Sequence, residues 1–311
     1  MQYNDWLHIW LENYVKPTSK QKTYVRYSEI VSHHISAKLG DMELAELTPL
    51  VLQKFTTDLT VNGNVKTGKG LAPNSVNGII TVIQNSLNTA CFTGQVSEYT
   101  ADRIRRPKSN EKQITCFTPE EQKLIERAIL GGGRTKMFGV VLCLYTGLRI
   151  GELLALEWTD IDFSTNMLTV SKTCYDGVNG EGKFVRITGD PKTSTSKREI
   201  PVPRQIMTCL RSLKRLSVSP YVVTGRDENV VSVRSYQRSF EALLRKLQIP
   251  HRGFHALRHT FATRALECGM DVKTLSEILG HKNPTVTLHR YVHSLPEHKK
   301  EMMNRVGKLL N

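Results

Sequence analysis

Along the first hundred residues the apolar positions recur every three or four places, which is the spacing of amphipathic helices. The run "NDWLHIWLENYV" gathers its aromatic and aliphatic residues on one stripe. The run "SKQKTYVRYSEIVSHHISAKLG" reads as a helix capped by Ser19 and stopped by Gly40. "TPLVLQKFTTDLTVNG" opens on Thr48 and Pro49, an N-cap followed by proline at the first helical position, and stops at Gly63. After the polar loop "GNVKTGKG", the run "APNSVNGIITVIQNSLNTACFTG" supplies a fourth helix, giving a helical bundle over residues 1–105. The periodicity then fails across "RIRRPKSNEKQITCF", which is basic and broken by Pro107; residues 106–117 read as a linker.

A second domain is expected over residues 118–311. It restarts with Thr118, Pro119 and Glu121 arranged as a capping box, and runs helically through "MFGVVLCLYTG". The pattern then changes. "MLTVSKTCYD", "GKFVRITGD" and "KREIPVP" are β-branched and bounded by turns, so one small antiparallel sheet is expected before helices resume near Arg204. The fold class is therefore mainly α with a small antiparallel β-sheet. One of the late helices, "GFHALRHTFATRAL", carries an anomaly. At 100° per residue Phe254, Leu257, Phe261, Ala262 and Ala265 share a broad arc, yet Arg258 lies inside that arc and His255 at its edge. A buried guanidinium needs a partner, so either a carboxylate waits inside or an anion visits.

Composition narrows the class. The 311 residues suffice for two ordinary domains. Net charge is +14: residues 1–110 hold twelve Lys and Arg against nine Asp and Glu, and residues 111–311 hold thirty-one against twenty. Such a surface suits a polyanion, most simply a nucleic acid. Six cysteines are scattered with no CxxC pair, which argues against a zinc ribbon or a disulfide framework and fits reduced thiols in the cytoplasm. Neither a secretory leader nor an apolar run of eighteen residues is present, so no membrane partner is expected. "GGGRTK" lacks the spacing of a phosphate-binding loop.

The candidate chemistry is spread over the second domain. Arg149 opens a helix among leucines, with Glu152 three residues on as a local ion-pair partner. Lys192 sits in the turn "GDPKTSTSKREIPVP". A lysine there is ordinarily solvated, though a loop can also deliver an ammonium to a leaving group. Gly280 ends a helix directly before His281, and Asn283 and Pro284 start the helix that carries Tyr291. The "HALRH" motif lacks the glutamate of a zinc helix, so no metal is expected, and His259 reads as a structural neighbour. Taken singly, each of these residues has a packing or surface explanation.

Taken together, "TGLRIGELLAL", "HALRHTFAT", "LGH" and the "RY" ten residues on resemble the tyrosine recombinase, or phage integrase, family. The first hundred residues resemble that family's core-binding domain, and the tail "TLSEILGHKNPTVTLHRYVHSLPEHKKEMM" resembles integrases of phages and conjugative transposons from low-GC Gram-positive bacteria. The resemblance implies a core-binding domain plus a mixed α/β catalytic domain that cuts and rejoins DNA through a 3′-phosphotyrosine, without metal, ATP or cofactor. Residue by residue it implies Tyr291 as nucleophile, Arg149 and Arg258 as phosphate clamp, His255 as base, Lys192 as acid and His281 as hydrogen-bond donor. Double-stranded DNA would lie between the two domains, with Lys16, Lys20, Lys22, Lys66, Lys69, Arg105 and Arg106 as phosphate contacts. The segment "PEHKKEMMNRVGKLLN", with Met302, Val306 and Leu309 at helical spacing, would dock on a neighbouring protomer within a tetramer. Accessory host or excision factors would be further partners. An arm-binding domain, common in integrases of mobile elements, is not among these residues. Rival readings are a chromosome-dimer-resolving recombinase of the same family, a type IB topoisomerase, and a DNA-binding protein that has lost catalysis.

Overall fold

The computed structural model describes residues 1–97, 101–109, 115–131, 135–178, 184–189, 197–225, 230–281 and 283–291, with 303–304 and 307–308. The chain divides into two units, Met1–Lys112 and Gln113–Asn311.

In the first unit α1 (Tyr3–Trp10) runs through a π-helical turn, Leu11–Val15, into α2 (Lys16–Thr18). Likewise α3 (Gln21–Ile30) runs through Val31–Ile35 into α4 (Ser36–Leu39). The wider turns keep Leu11, Val15, Val31 and Ile35 on the core side. With α5 (Pro49–Asn62) and α6 (Pro73–Phe92) these make four helical rods. Ser19 is not the cap of the second rod. It ends the first, its N–H bonding to Val15 O at 2.9 Å, and the extended Lys20 precedes α3 instead. Trp6, Leu7, Ile35, Leu52, Ile80 and Ile83 form the core. Its polar atoms are paired: Tyr3 Oη lies 2.7 Å from Ser86 Oγ, and Trp6 Nε1 donates to Ser86 O at 3.1 Å. Ala101 and Ile104 join this core, and Arg106 donates to Asn77 O (3.1 Å), Thr81 Oγ1 (3.2 Å) and Gln84 Oε1 (2.5 Å), so the start of the expected linker is fastened to α6.

The second unit contains α7 (Pro119–Leu130), α8 (Phe138–Thr146), α9 (Ile150–Ala155), β1 (Ile161–Asp162), β2 (Met167–Val170), β3 (Thr173–Val178), β4 (Phe184–Gly189) and β5 (Arg198–Pro201). The helices α10 (Arg204–Leu216), α11 (Val233–Lys246), α12 (His255–Glu267), α13 (Val272–Leu279) and α14 (Pro284–Tyr291) follow. Thr118 and Glu121 form the reciprocal cap of α7, at 3.2 and 2.8 Å. The strands make two antiparallel sheets rather than one: β1-β2-β5, with Leu168 opposite Ile200, and the hairpin β3-β4, with Tyr175 opposite Ile187. The run "MLTVSKTCYD" therefore splits between sheets. Lys172 marks the break, its ammonium drawn to Glu157 at 2.8 Å and Asp160 at 3.7 Å. Asp176 of the hairpin accepts the N–H groups of Val233 (2.8 Å) and Arg234 (3.0 Å), adding a carboxylate to the N-terminus of α11.

One large core, with Val140, Val141, Leu142, Leu153, Leu168, Phe240 and Leu257, fills this unit. A smaller one joins α12 to α13 through Ala262, Ala265, Leu275 and Leu279. The chain entering the unit is pinned along α12: Phe117 N–H bonds Thr260 Oγ1 at 2.9 Å, and Arg264 Nη2 bonds Phe117 O at 3.1 Å. Among the described residues no helix is long and apolar enough to cross a membrane.

Candidate active site

The site is built where two helices end. Both α8 and α13 close on a glycine in the left-handed region, Gly147 (φ 65°) and Gly280 (φ 64°). A helix terminus of this kind leaves carbonyl oxygens without intrahelical partners and carries partial negative charge. Arginines answer that charge. Arg258, 1% exposed, donates from Nη1 to Gly147 O at 2.9 Å and from Nη2 to Leu279 O at 2.6 Å. Arg198 Nε donates to Ile278 O at 2.5 Å, and Arg149 Nη2 lies 3.3 Å from Gly280 O. Three consecutive carbonyls at the end of α13 are thus each held by a different guanidinium.

The anomaly of α12 resolves accordingly. No carboxylate is needed beneath Arg258, because the backbone carbonyls of two helix ends partner it. The helix itself departs from the one-arc expectation. Ala256, Thr260 and Leu266 are buried as well, so α12 runs through the interior with little but His255 facing out at its start.

Glu152 ties the arginines together. It is buried, and its Oε1 accepts from Arg149 Nη1 at 2.7 Å while its Oε2 accepts from Arg198 Nη2 at 2.8 Å and from Arg149 N–H at 3.0 Å. Burial alone would raise the Glu152 carboxyl; the hydrogen bonds and charge of Arg198, with Arg149, outweigh it and hold the group below the usual carboxylate range. The described side chains here therefore comprise three guanidiniums and one carboxylate. Arg149 is the accessible member, its side chain 37% exposed against 6% for Arg198. Such a surplus of positive charge suits an anion, and a guanidinium fork suits a phosphate.

His281 follows Gly280 directly. Its Nε2 lies 2.9 Å from Arg258 Nη2 and its Nδ1 2.7 Å from Thr287 Oγ1 on α14. Asn283 Oδ1 caps α14 through the N–H of Thr285 at 2.9 Å. One turn before Arg258, His255 is exposed and meets His259 edge-on, ring centroids 4.6 Å apart.

The Phage integrase family model matches residues 115–298, and the model of the family's N-terminal SAM-like domain matches residues 2–60. The chain belongs to the phage integrase family. A tyrosine recombinase XerC-like protein of Caldanaerobacter subterraneus is 30% identical to it, over 98% of this chain and 82% of that one. The ICEBs1 integrase of Bacillus subtilis is 27% identical, over 94% of this chain and 79% of that one. In fold, the chain is similar to the Tn1549 transposon integrase solved with transposon right end DNA: TM-score 0.81, 20% identity, covering 99% of this chain and 100% of that one.

For this member of the family, the structure brings Arg149, Arg258 and His281 together around residues 279–281 and sets His255 one turn from Arg258. Tyr291 is the last residue of α14, the helix that Thr287 connects to His281. Lys192 and its turn lie outside the described residues, as does nearly all of the C-terminal segment. The expected phosphate contacts Lys16, Lys20, Lys22, Lys66, Lys69, Arg105 and Arg106 are all exposed. Lys16 pairs with Glu12 at 2.5 Å and lies over the Tyr24 ring, and Arg106 staples α6. Sequence reasoning missed Arg198 and Thr287. For Arg198 a signal existed: in "KREIP" it is two residues from Ile200, hence on the same strand face as a core residue.

Proposed function

We propose that this chain is a site-specific integrase that moves a phage or conjugative element, using Arg149, Lys192, His255, Arg258, His281 and Tyr291 on a DNA phosphodiester. As a tyrosine recombinase of the phage integrase family it is a DNA-cutting and -rejoining enzyme. The observation that carries the assignment is the excess of guanidiniums over carboxylates among the described side chains at the end of α13, with one arginine accessible and one fixed at the floor. Phosphoryl transfer without a metal needs side chains to meet the charge that builds on the phosphate oxygens. Arg149 and Arg258 supply it here. Tyr291 Oη attacks phosphorus, and its proton passes to His255. The P–O5′ bond breaks, and Lys192 protonates the leaving oxygen. The 3′-phosphotyrosine conserves the bond energy, so a 5′-hydroxyl from a partner strand reseals it without ATP.

Relatives named as integrases of phages and of ICEBs1 support the mobile-element reading. A lambda integrase tetramer has been solved on a Holliday junction, which supports assembly of four protomers on two duplexes. The segment after Tyr291 is the proposed docking arm between protomers, and accessory host or excision factors in the bacterial cytoplasm would set direction. The test is a nicked suicide duplex carrying the DNA that flanks the element, resolved on denaturing gels. A covalent protein–DNA adduct is expected from the wild type and none from Tyr291→Phe. An adduct that survives in Tyr291→Phe, or none from the wild type on its own flanking DNA, refutes the assignment.

A further inference from the structure

Thr287 is fully buried on α14, one helical turn before Tyr291. Its Oγ1 lies 2.7 Å from His281 Nδ1, and His281 Nε2 lies 2.9 Å from Arg258 Nη2. A guanidinium can only donate, so at the Arg258 contact Nε2 is the acceptor. The proton of the neutral ring then sits on Nδ1, and Thr287 Oγ1 accepts it. Thr287, His281 and Arg258 thus form one line of hydrogen bonds joining α14, the chain just past α13, and α12.

This line has a use once a phosphate arrives. A non-bridging phosphate oxygen accepts, so Nε2 must change from accepting to donating, which places a proton on each ring nitrogen. Nδ1 is a donor both before and after that change. An acceptor at Nδ1 can therefore hold the ring in one orientation throughout, and a hydroxyl there serves both states. The His281 backbone N–H is bonded to Ser276 O at 3.0 Å, which fixes the main chain but not the rotation of the ring.

We propose that Thr287 is a positioning residue for strand cleavage: its hydroxyl orients His281 toward the phosphate and registers the helix carrying Tyr291 against it. This rests on the roles of His281 and Tyr291 proposed above.

The test uses the full chain on the nicked duplex, comparing wild type, Thr287→Val, Thr287→Ser, His281→Ala and the Thr287→Val/His281→Ala double variant. Valine keeps the branched shape and removes the hydroxyl; serine keeps the hydroxyl. Loss of one orienting hydrogen bond predicts that Thr287→Val forms adduct about tenfold more slowly at saturating protein with unchanged DNA affinity. Thr287→Ser should recover most of the rate. In the His281→Ala background, Thr287→Val should cost nothing further, because the two side chains act through one contact. Independently of activity, nitrogen NMR of labelled histidines should show His281 protonated at Nδ1 in the wild type and a mixture of tautomers in Thr287→Val. A wild-type rate in Thr287→Val overturns the proposal. So does an equal loss in the His281→Ala background, which would make Thr287 a packing residue, or a His281 tautomer indifferent to the substitution. No adduct from the wild type instead overturns the catalytic assignment and takes this proposal with it.

Discussion

Arg258 does two jobs that pull in different directions. It bridges the ends of α8 and α13, and it is proposed to grip a phosphate. Each hydrogen bond from a charged donor contributes about 1.5–3 kcal/mol. Lysine keeps the charge but not the planar fork that spans Gly147 O and Leu279 O. Arg258→Lys is therefore expected to lower stability by about 2 kcal/mol and to slow adduct formation by about 10² or more, read by thermal melts and single-turnover assays. A variant slow in cleavage yet fully stable would show that the carbonyl contacts are incidental. Glu152 gives a pH signature. Its folded pKa lies below the ordinary 4.5, so its contribution is complete above that value and fades as pH falls through the lower folded pKa. Glu152→Gln removes the buried negative charge that the Arg198 and Arg149 guanidiniums share, at a cost of about 3 kcal/mol near neutrality. The variant and wild-type stabilities should converge as pH falls below the ordinary glutamate value and through the lower folded one, measured by urea melts across pH; parallel curves would exclude the carboxylate as the titrating group. The local chemistry of Arg149, Glu152 and Arg258 was legible because each sits in a short motif. The partner of Arg258 was not, since carbonyls at the ends of two distant helices leave no mark in side-chain identity.

At the scale of elements the glycines decide the geometry. A Cβ on Gly147 would stand 2.6 Å from Phe261 Cδ1 and 2.8 Å from Leu279 Cδ2, in addition to the cost of φ +65°. At Gly269 φ is +89° but nothing lies within 4 Å, so substitution there meets only backbone strain. Gly269→Ala should cost about 1 kcal/mol, and Gly147→Ala about 3 kcal/mol, because packed aromatic and leucine side chains must also shift. Denaturant melts check the difference; equal losses would mean that the junction of α8 with α12 and α13 is loosely packed. Both glycines that close on the site were readable as helix stops. The strands were less so: β-branched residues announced a sheet, but nothing local says that "MLTV" pairs with "REIP" while "TCYDGV" pairs with "FVRITG". That choice rests on Leu168 and Ile200 meeting in the core and on Lys172 being drawn to Glu157, both nonlocal. The capping box of α7 was legible because its chemistry is contained in four residues. Ser19 misled for the opposite reason: a good capping residue also suits the end of the preceding rod.

At the scale of the molecule the question is which of the forty-three Lys and Arg residues the DNA uses. Net charge attracts a polyanion without saying where. Intramolecular partners sort the candidates in the first unit. Lys16, Arg106, Lys66 and Lys69 are all exposed, but Lys16 is held by Glu12 and the Tyr24 ring, and Arg106 by Asn77, Thr81 and Gln84, whereas Lys66 and Lys69 lie in the turn between α5 and α6. Each phosphate contact releases counterions and contributes about 0.9 to the slope of log K against log salt. Replacing Lys66 and Lys69 together by alanine should therefore weaken DNA binding and flatten that slope by roughly 2. Lys16→Ala should leave the slope unchanged, because its ammonium already has a carboxylate. Arg106→Ala should lower the melting temperature, since it frees the segment after α6 from the bundle, with only a secondary effect on the slope. Fluorescence anisotropy on a core-site duplex from 50 to about 200 mM salt separates these outcomes. A slope that falls for Lys16→Ala and not for the Lys66/Lys69 pair would place the DNA on a different face of the bundle and redraw the proposed phosphate contacts.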